Sequence, residues 1–243
     1  MSRCRVPVLS SPNVVVRLTS DPTEIDAANR LVFGNYVAAG FWENDENQLR
    51  TNKFLYTPTR YVFVVLENER LVGTMSIIID WVDGLPSDSA QPAAMQRLRA
   101  KGGTLAEVSA FAMDRTNVSH RKLVFFLISY MFQYSFYCAG VDRLVASCVS
   151  AHADFYESAL CFSKISDPTY YAYTRVVGHF LSLDLVEAHS LFSRKYPADL
   201  ATGESFYRFM LCDPHPCQRF PLGLPMSRSR QTDWTAKNLA KAA

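Results

Sequence analysis

The sequence predicts an α/β (α+β) fold, a mixed central sheet flanked by helices, on three observations. From Leu105 to Met113, apolar residues occupy both faces of a period-two run, the pattern of a strand buried on two sides. An uncharged stretch over 123–140 follows, long enough for a full helix and closed by Gly140 at the C-cap position. Upstream, the β-branched runs 60–66 and 70–79 flank Glu67-Asn68-Glu69, which reads as a hairpin. Antiparallel strands therefore come first. A strand–helix–strand unit follows, which must be parallel and right-handed. Two strands that start parallel and then splay leave a cleft for a ligand.

The remaining elements follow in order. Residues 14–18 form a short β-branched strand. Ser20 or Asp21 caps a helix with Pro22 in its first position and Glu24 in its first turn, and Gly40 should end it. A polar loop spans 43–53. After the hairpin, residues 80–88 break the pattern, 91–100 form a helix, and Gly102-Gly103 stop it. Beyond the central helix come a strand over 141–149, a short helix over 150–160 and a strand entered at Phe162. One long aromatic strand is expected over 170–185, a helix over 187–196, and a helix or strand over 202–212. From Pro214 onward prolines, serines and basic residues predict a weakly ordered tail.

Composition removes several function classes. The net charge of +2 gives no field for nucleic acid. The uncharged run 123–141 is long enough to cross a bilayer, but Ser129, Tyr130, Gln133, Tyr134, Ser135 and Tyr137 interrupt it, so a buried helix is expected and no span. Six cysteines without a CxxC pair read as reduced thiols of a cytoplasmic protein. The short apolar patch near the N-terminus is too brief for a signal peptide. Cys212, His215 and Cys217 are soft ligands, but they lack a fourth partner and the usual spacing, so no metal is expected.

Chemistry-bearing residues cluster around the central strand. Leu105, Glu107, Ser109, Phe111 and Met113 alternate along one expected face, and a carboxylate in that apolar setting needs a partner or a task. Glu107 is either a general base with a burial-raised pKa or a structural carboxylate paired with a neighbouring arginine or strand end. The connector that follows opens the central helix and carries Arg115, His120, Arg121 and Lys122. It is either an anion cradle for a phosphodiester or an ordinary solvated helix start.

Four local patterns resemble the long-chain N-acyl amino acid synthase family, within the GNAT superfamily and related to acyl-homoserine lactone synthases. They are Phe33-x-x-Tyr36-x-x-x-Gly40-Phe41, Asp80-x-x-x-Gly84-Leu85-Pro86-x-Asp88, Leu98-Arg99-x-x-Gly102 leading into Leu105-Ala106-Glu107-Val108-Ser109, and His152-x-x-Phe155-Tyr156 with Phe162. The resemblance spans residues 14–184. Three positions depart from the family pattern: Val32 stands where an arginine is usual and Cys161 where a glycine is usual. Ala110 takes the place of an arginine of the homoserine lactone enzymes.

The resemblance implies a GNAT-like N-acyltransferase domain over 12–200 with a partly disordered extension over 201–243. It implies transfer of a long-chain acyl group from acyl carrier protein to the α-amine of an amino acid, in lipid biosynthesis. The donor would be acyl-phosphopantetheine on its carrier, with no bound cofactor. The missing Gly-rich pyrophosphate loop favours that single phosphate over coenzyme A. Glu107 would be the base and Tyr156 would protonate the thiolate. Backbone N–H groups over 109–111 would bind the thioester oxygen. Phe33, Tyr36, Ser109, Phe111 and His152 would contact substrate, although His152 also reads as a helix cap. Arg115, His120, Arg121 and Lys122 would hold the phosphate and the acidic carrier. The alternatives are a homoserine lactone-type signal synthase and a non-catalytic acyl-binding module.

Overall fold

Strand β1 (Val14–Thr19) leads into helix α1 (Pro22–Ala38), whose first turn is fixed as the sequence predicts. The Asp21 carboxylate accepts the Thr23 and Glu24 N–H groups at 2.8 and 3.4 Å. The computed structural model describes residues 5–9, 11–43, 53–117, 120–172, 174–200 and 202–221, without the His120 side chain. Most of the expected polar loop, 44–52, and the tail 222–243 lie outside the described residues.

Strands β2 (Arg60–Glu67) and β3 (Arg70–Ile79) form the expected hairpin. Its two turn residues, Asn68 and Glu69, have φ of 50° and 65°, the left-handed pair of a type I′ turn. A loop and a one-turn 3₁₀ segment (Pro86–Asp88) then precede helix α2 (Pro92–Ala100). Arg99 clamps that loop. Its guanidinium donates to Asp80 at 2.7 and 2.9 Å and to Asp88 at 2.5 and 2.8 Å, while Asp88 also accepts the Leu85 N–H. Gly84 is required here: its φ is 69°, and a Cβ would sit 2.5 Å from the Asp88 carboxylate.

Strand β4 (Leu105–Met113) pairs antiparallel with β3 and parallel with β5 (Arg143–Val149). Between them run α3 (His120–Gln133) and a π-helical turn (Tyr134–Cys138). The chain continues through α4 (Ser150–Leu160), β6 (Ser163–Lys164), β7 (Thr169–Tyr171), β8 (Val176–Asp184), α5 (Leu185–Lys195), α6 (Phe206–Leu211) and β9 (Gln218–Arg219). The sheet order is β6-β8-β5-β4-β3-β2-β1-β9, with β7 on β8. One sheet face packs on α3, α4, α5 and α6, and the other on α1 and α2.

Three expectations change. The single strand over 170–185 is two, because Arg175, at φ 57°, turns the chain back between β7 and β8. Residues 202–221 of the expected extension pack on the fold: Phe206, Phe209, Met210 and Leu211 enter the main core, and β9 pairs with β1. Residues 214–221 are therefore held on the fold and do not form a weakly ordered tail. The polar residues of α3 explain why. The Ser129 hydroxyl and the Gln133 amide donate to the Phe209 carbonyl, and the Tyr130 hydroxyl donates to that of Arg219. These groups pin the C-terminal segment across a helix that is otherwise apolar. No described helix is long and apolar enough to cross a membrane.

The third change concerns β4 itself. Ser109 faces Ser76 and Ala112 faces Thr74, so Met75 alone opposes Ala110 and Phe111. This is a β-bulge with Ala110 at φ 52°. It reverses the alternation. Leu105 and Glu107 face α2, but Phe111 and Met113 point to the α3 side, while Ala112 packs under α1. The five alternating residues of the sequence pattern therefore do not share a face.

Candidate active site

Parallel pairing of β4 with β5 lasts from Leu105↔Arg143 to Val108↔Ala146 and then stops. The strands part where the bulge begins. The gap opens into a cavity of about 400 Å³ between the sheet, α1, the 3₁₀ turn, the start of α4 and the β7–β8 hairpin. Its walls are mainly apolar, with Val32, Tyr36, Phe41, Trp42 and Phe54 on one side and Tyr156 and Val176 on the other. A few polar groups converge in it, the usual make-up of a small-molecule site.

Glu107 is the buried carboxylate among these, 4% exposed. Its partner is not the arginine that a structural reading of the sequence allows. The Ser87 N–H donates to one carboxylate oxygen at 2.9 Å and the Ser87 hydroxyl to the other at 2.8 Å. Ser87 lies 3.0 Å from the Ser147 hydroxyl, which hydrogen-bonds Tyr171. Burial lifts the Glu107 pKa to about 7, against the lowering effect of the two Ser87 bonds. Asp88 and Asp80 raise it further. At neutral pH the group exchanges a proton readily, as a general base must. The Arg99 clamp matters because it holds the turn that presents Ser87.

The site residues expected from sequence separate into three sets. Tyr36, Ser109, Phe111, His152 and Tyr156 line the cavity with Glu107. Phe33 does not: it is buried under α1 against Trp42, with ring centroids 5.9 Å apart. His152 is not a cap either, since α4 begins after Val149 without a side-chain cap bond. Arg115, Arg121 and Lys122 are exposed and away from the cavity wall, and the His120 side chain is outside the described residues. Asp114 organises that connector, accepting the Thr116 N–H and hydroxyl at 2.9 and 2.6 Å and pairing with Arg70.

Burial raises the phenol pKa of Tyr156, with Cys148 and Tyr36 nearby adding to the effect. A phenol is already a weaker acid than a thiol, so Tyr156 stays protonated and can donate a hydrogen bond to a thiolate rather than give up its proton. Cys148 lies on the same wall, with its thiol pushed up to about 11 by burial.

Arg60, Asn29 and Ser87 are polar residues of the cavity that were not singled out from sequence. Arg60 donates from Nε to the Ser76 hydroxyl at 3.1 Å, from Nη1 to the Leu55 carbonyl at 2.8 Å and from Nη2 to Asn29 Oδ1 at 3.0 Å. Asn29 stands one position after Ala28 on the buried side of α1. An amide among Ile25, Ala28 and Val32 was the available signal. Ser87 was visible only as the variable position of the Asp80–Asp88 pattern.

A family model described as N-acyl amino acid synthase FeeM matches residues 27–184. The solved structure of FeeM, an N-acyl amino acid synthase from uncultured soil microbes, is 32% identical, with a TM-score of 0.63. The match covers 74% of this chain and 95% of that one. BjaI, a CoA-dependent acyl-homoserine lactone synthase, is 13% identical with a TM-score of 0.57, over 93% of this chain and 99% of its own. An agmatine N-acetyltransferase is 15% identical with a TM-score of 0.52, over 71% and 99%. These last two share the GNAT-like fold. No curated protein sequence matches.

Proposed function

The chain belongs to the FeeM family of N-acyl amino acid synthases and is an acyltransferase; from that premise we propose that it moves a long-chain acyl group from acyl carrier protein to the α-amine of an amino acid. The observation that carries this reading is Glu107, a buried carboxyl with a pKa of about 7, standing where β4 and β5 part.

The chemistry follows from the positions. The acceptor's ammonium gives a proton to the Glu107 carboxylate, directly or through water, and the freed amine attacks the thioester carbonyl carbon. The oxyanion that forms takes hydrogen bonds from the backbone of the bulge at Ala110 and Phe111, where β4 is out of register with β3. The C–S bond then breaks as the attacking nitrogen passes its second proton to the departing sulfur, directly or through water, so that the amide and a neutral thiol result, while Tyr156 hydrogen-bonds the sulfur as its charge develops. An apolar cavity of about 400 Å³ suits the acyl chain. In this reading Arg115, Arg121 and Lys122, exposed beyond the bulge, take the pantetheine phosphate and an acidic carrier surface.

One incubation tests the reading. The protein receives a long-chain acyl carrier protein in one tube and the matching acyl coenzyme A in another, each with all common amino acids, and products are read by mass spectrometry. An N-acyl amino acid in the carrier tube alone is the expected result. Product in both tubes removes the carrier-specific part, and product in neither removes the synthase reading.

A further inference from the structure

Asn29 is 5% exposed, lines the cavity, and its Nδ2 has no hydrogen-bond partner among the described residues. A buried amide N–H without an acceptor is costly, so a site that keeps one calls for an explanation. The amide oxygen of the same residue is committed, because it accepts from Arg60 Nη2. That bond fixes the orientation of the amide and sets its N–H₂ group beside the guanidinium. Two kinds of donor, one of them cationic, therefore meet at one point of the cavity wall. Their natural guest is an acceptor-only anion of planar shape, a carboxylate.

The sheet register sets where that guest lies. Arg60 is opposite Ile78, and Ile78 is opposite Glu107, so the three stand in one row across β2, β3 and β4 on the cavity face. Two strand spacings separate the ends of the row by about 10 Å. The Arg60 bond to Ser76 draws the guanidinium over β3 toward β4, where Ser76 is opposite Ser109, two residues along the strand from Glu107. An α-amino acid carries its nitrogen about 2.5 Å from its carboxyl carbon. With a hydrogen bond of about 2.8 Å at each end, it bridges a base and a cation separated by less than the full row.

We propose that Arg60 and Asn29 form the subsite for the α-carboxylate of the acceptor, so that the enzyme selects α-amino acids over amines without a carboxylate. The inference rests on the synthase reading above. It adds the group that orients the amine: with the carboxylate held at Arg60 and Asn29, the nitrogen is directed to Glu107.

The test compares acids with their methyl esters. The full-length protein receives a dodecanoyl donor, on carrier protein and on coenzyme A, with pooled amino acids or their pooled methyl esters. The preferred acceptor and its ester are then followed kinetically. The wild type should favour the acid. In Arg60→Gln the acid-over-ester preference in kcat/KM should fall about 100-fold, chiefly through KM, as expected for losing charge-assisted bonds. Arg60→Lys should recover part of it. Asn29→Asp, nearly isosteric, should also erase the preference by setting a carboxylate against the guest. Equal losses for acid and ester in Arg60→Gln, without recovery in Arg60→Lys, would mean a structural role and overturn the subsite. A wild type that acylates esters as readily as acids overturns the subsite and leaves the acyltransfer reading intact. A wild type that acylates neither overturns both.

Discussion

Glu107 joins two effects that can be measured separately. Replacing it with glutamine removes the base, so turnover should fall at least about 100-fold. In the wild type, kcat/KM should rise with pH through about 7 as the carboxyl ionises. A flat profile from pH 5.5 to 8.5 would remove Glu107 from the role. Stability should move the opposite way. The native state binds the Glu107 proton more tightly than the unfolded chain, so stability declines as pH climbs from 4.5 to about 7. The decline amounts to about 3 kcal/mol at its limit. Glu107→Gln has no such decline. Its melting temperature should therefore gain on the wild type from pH 5 to pH 8. The carboxylate was legible in the sequence because an acid inside an apolar strand is conspicuous. Ser87, Arg60 and Asn29 were not, because each gains its meaning from a contact across the fold: Ser87 from a turn clamped 20 residues upstream, Arg60 and Asn29 from each other across 31 residues.

At the scale of elements, local chemistry was readable and backbone departures were not. The Asp21 cap, Pro22 and the α1 boundary followed from residue types, as did the β2–β3 hairpin. The bulge in β4 did not, since Ala110 has no preference for the left-handed region and nothing in its side chain marks it. The break between β7 and β8 was hidden for the same reason at Arg175. Two such positions offer tests. Cys161 closes α4 at φ 59°, in the conformation that favours glycine. Cys161→Gly should stabilise the protein by roughly 0.5–1 kcal/mol in a thermal melt. The Arg99 clamp is the second. Arg99→Ala frees the turn that carries Ser87, so turnover should fall while the oligomeric state and far-ultraviolet spectrum stay native.

The described residues form one packed unit that depends on the segment 202–221. Phe206, Phe209, Met210 and Leu211 are buried against α3 and its neighbours. Each contributes about 1.5–3 kcal/mol on burial, which together is comparable with the stability of an ordinary domain. A chain truncated after Leu200 should therefore lose cooperative unfolding in denaturant titration. The sequence could not show this, because a short helix and a two-residue strand carry too little periodicity to announce that they complete a core. The same enclosure decides the order of chemical events. Cys148 is the thiol on the cavity wall, and with its pKa at about 11 only about one in ten thousand molecules holds it as thiolate at pH 7. Among the described residues of the cavity wall, an acyl group finds no ready thiolate on which to wait. Donor and acceptor must then be present together, so initial-rate plots should intersect rather than run parallel, and the donor alone should leave no mass of one acyl group on the protein.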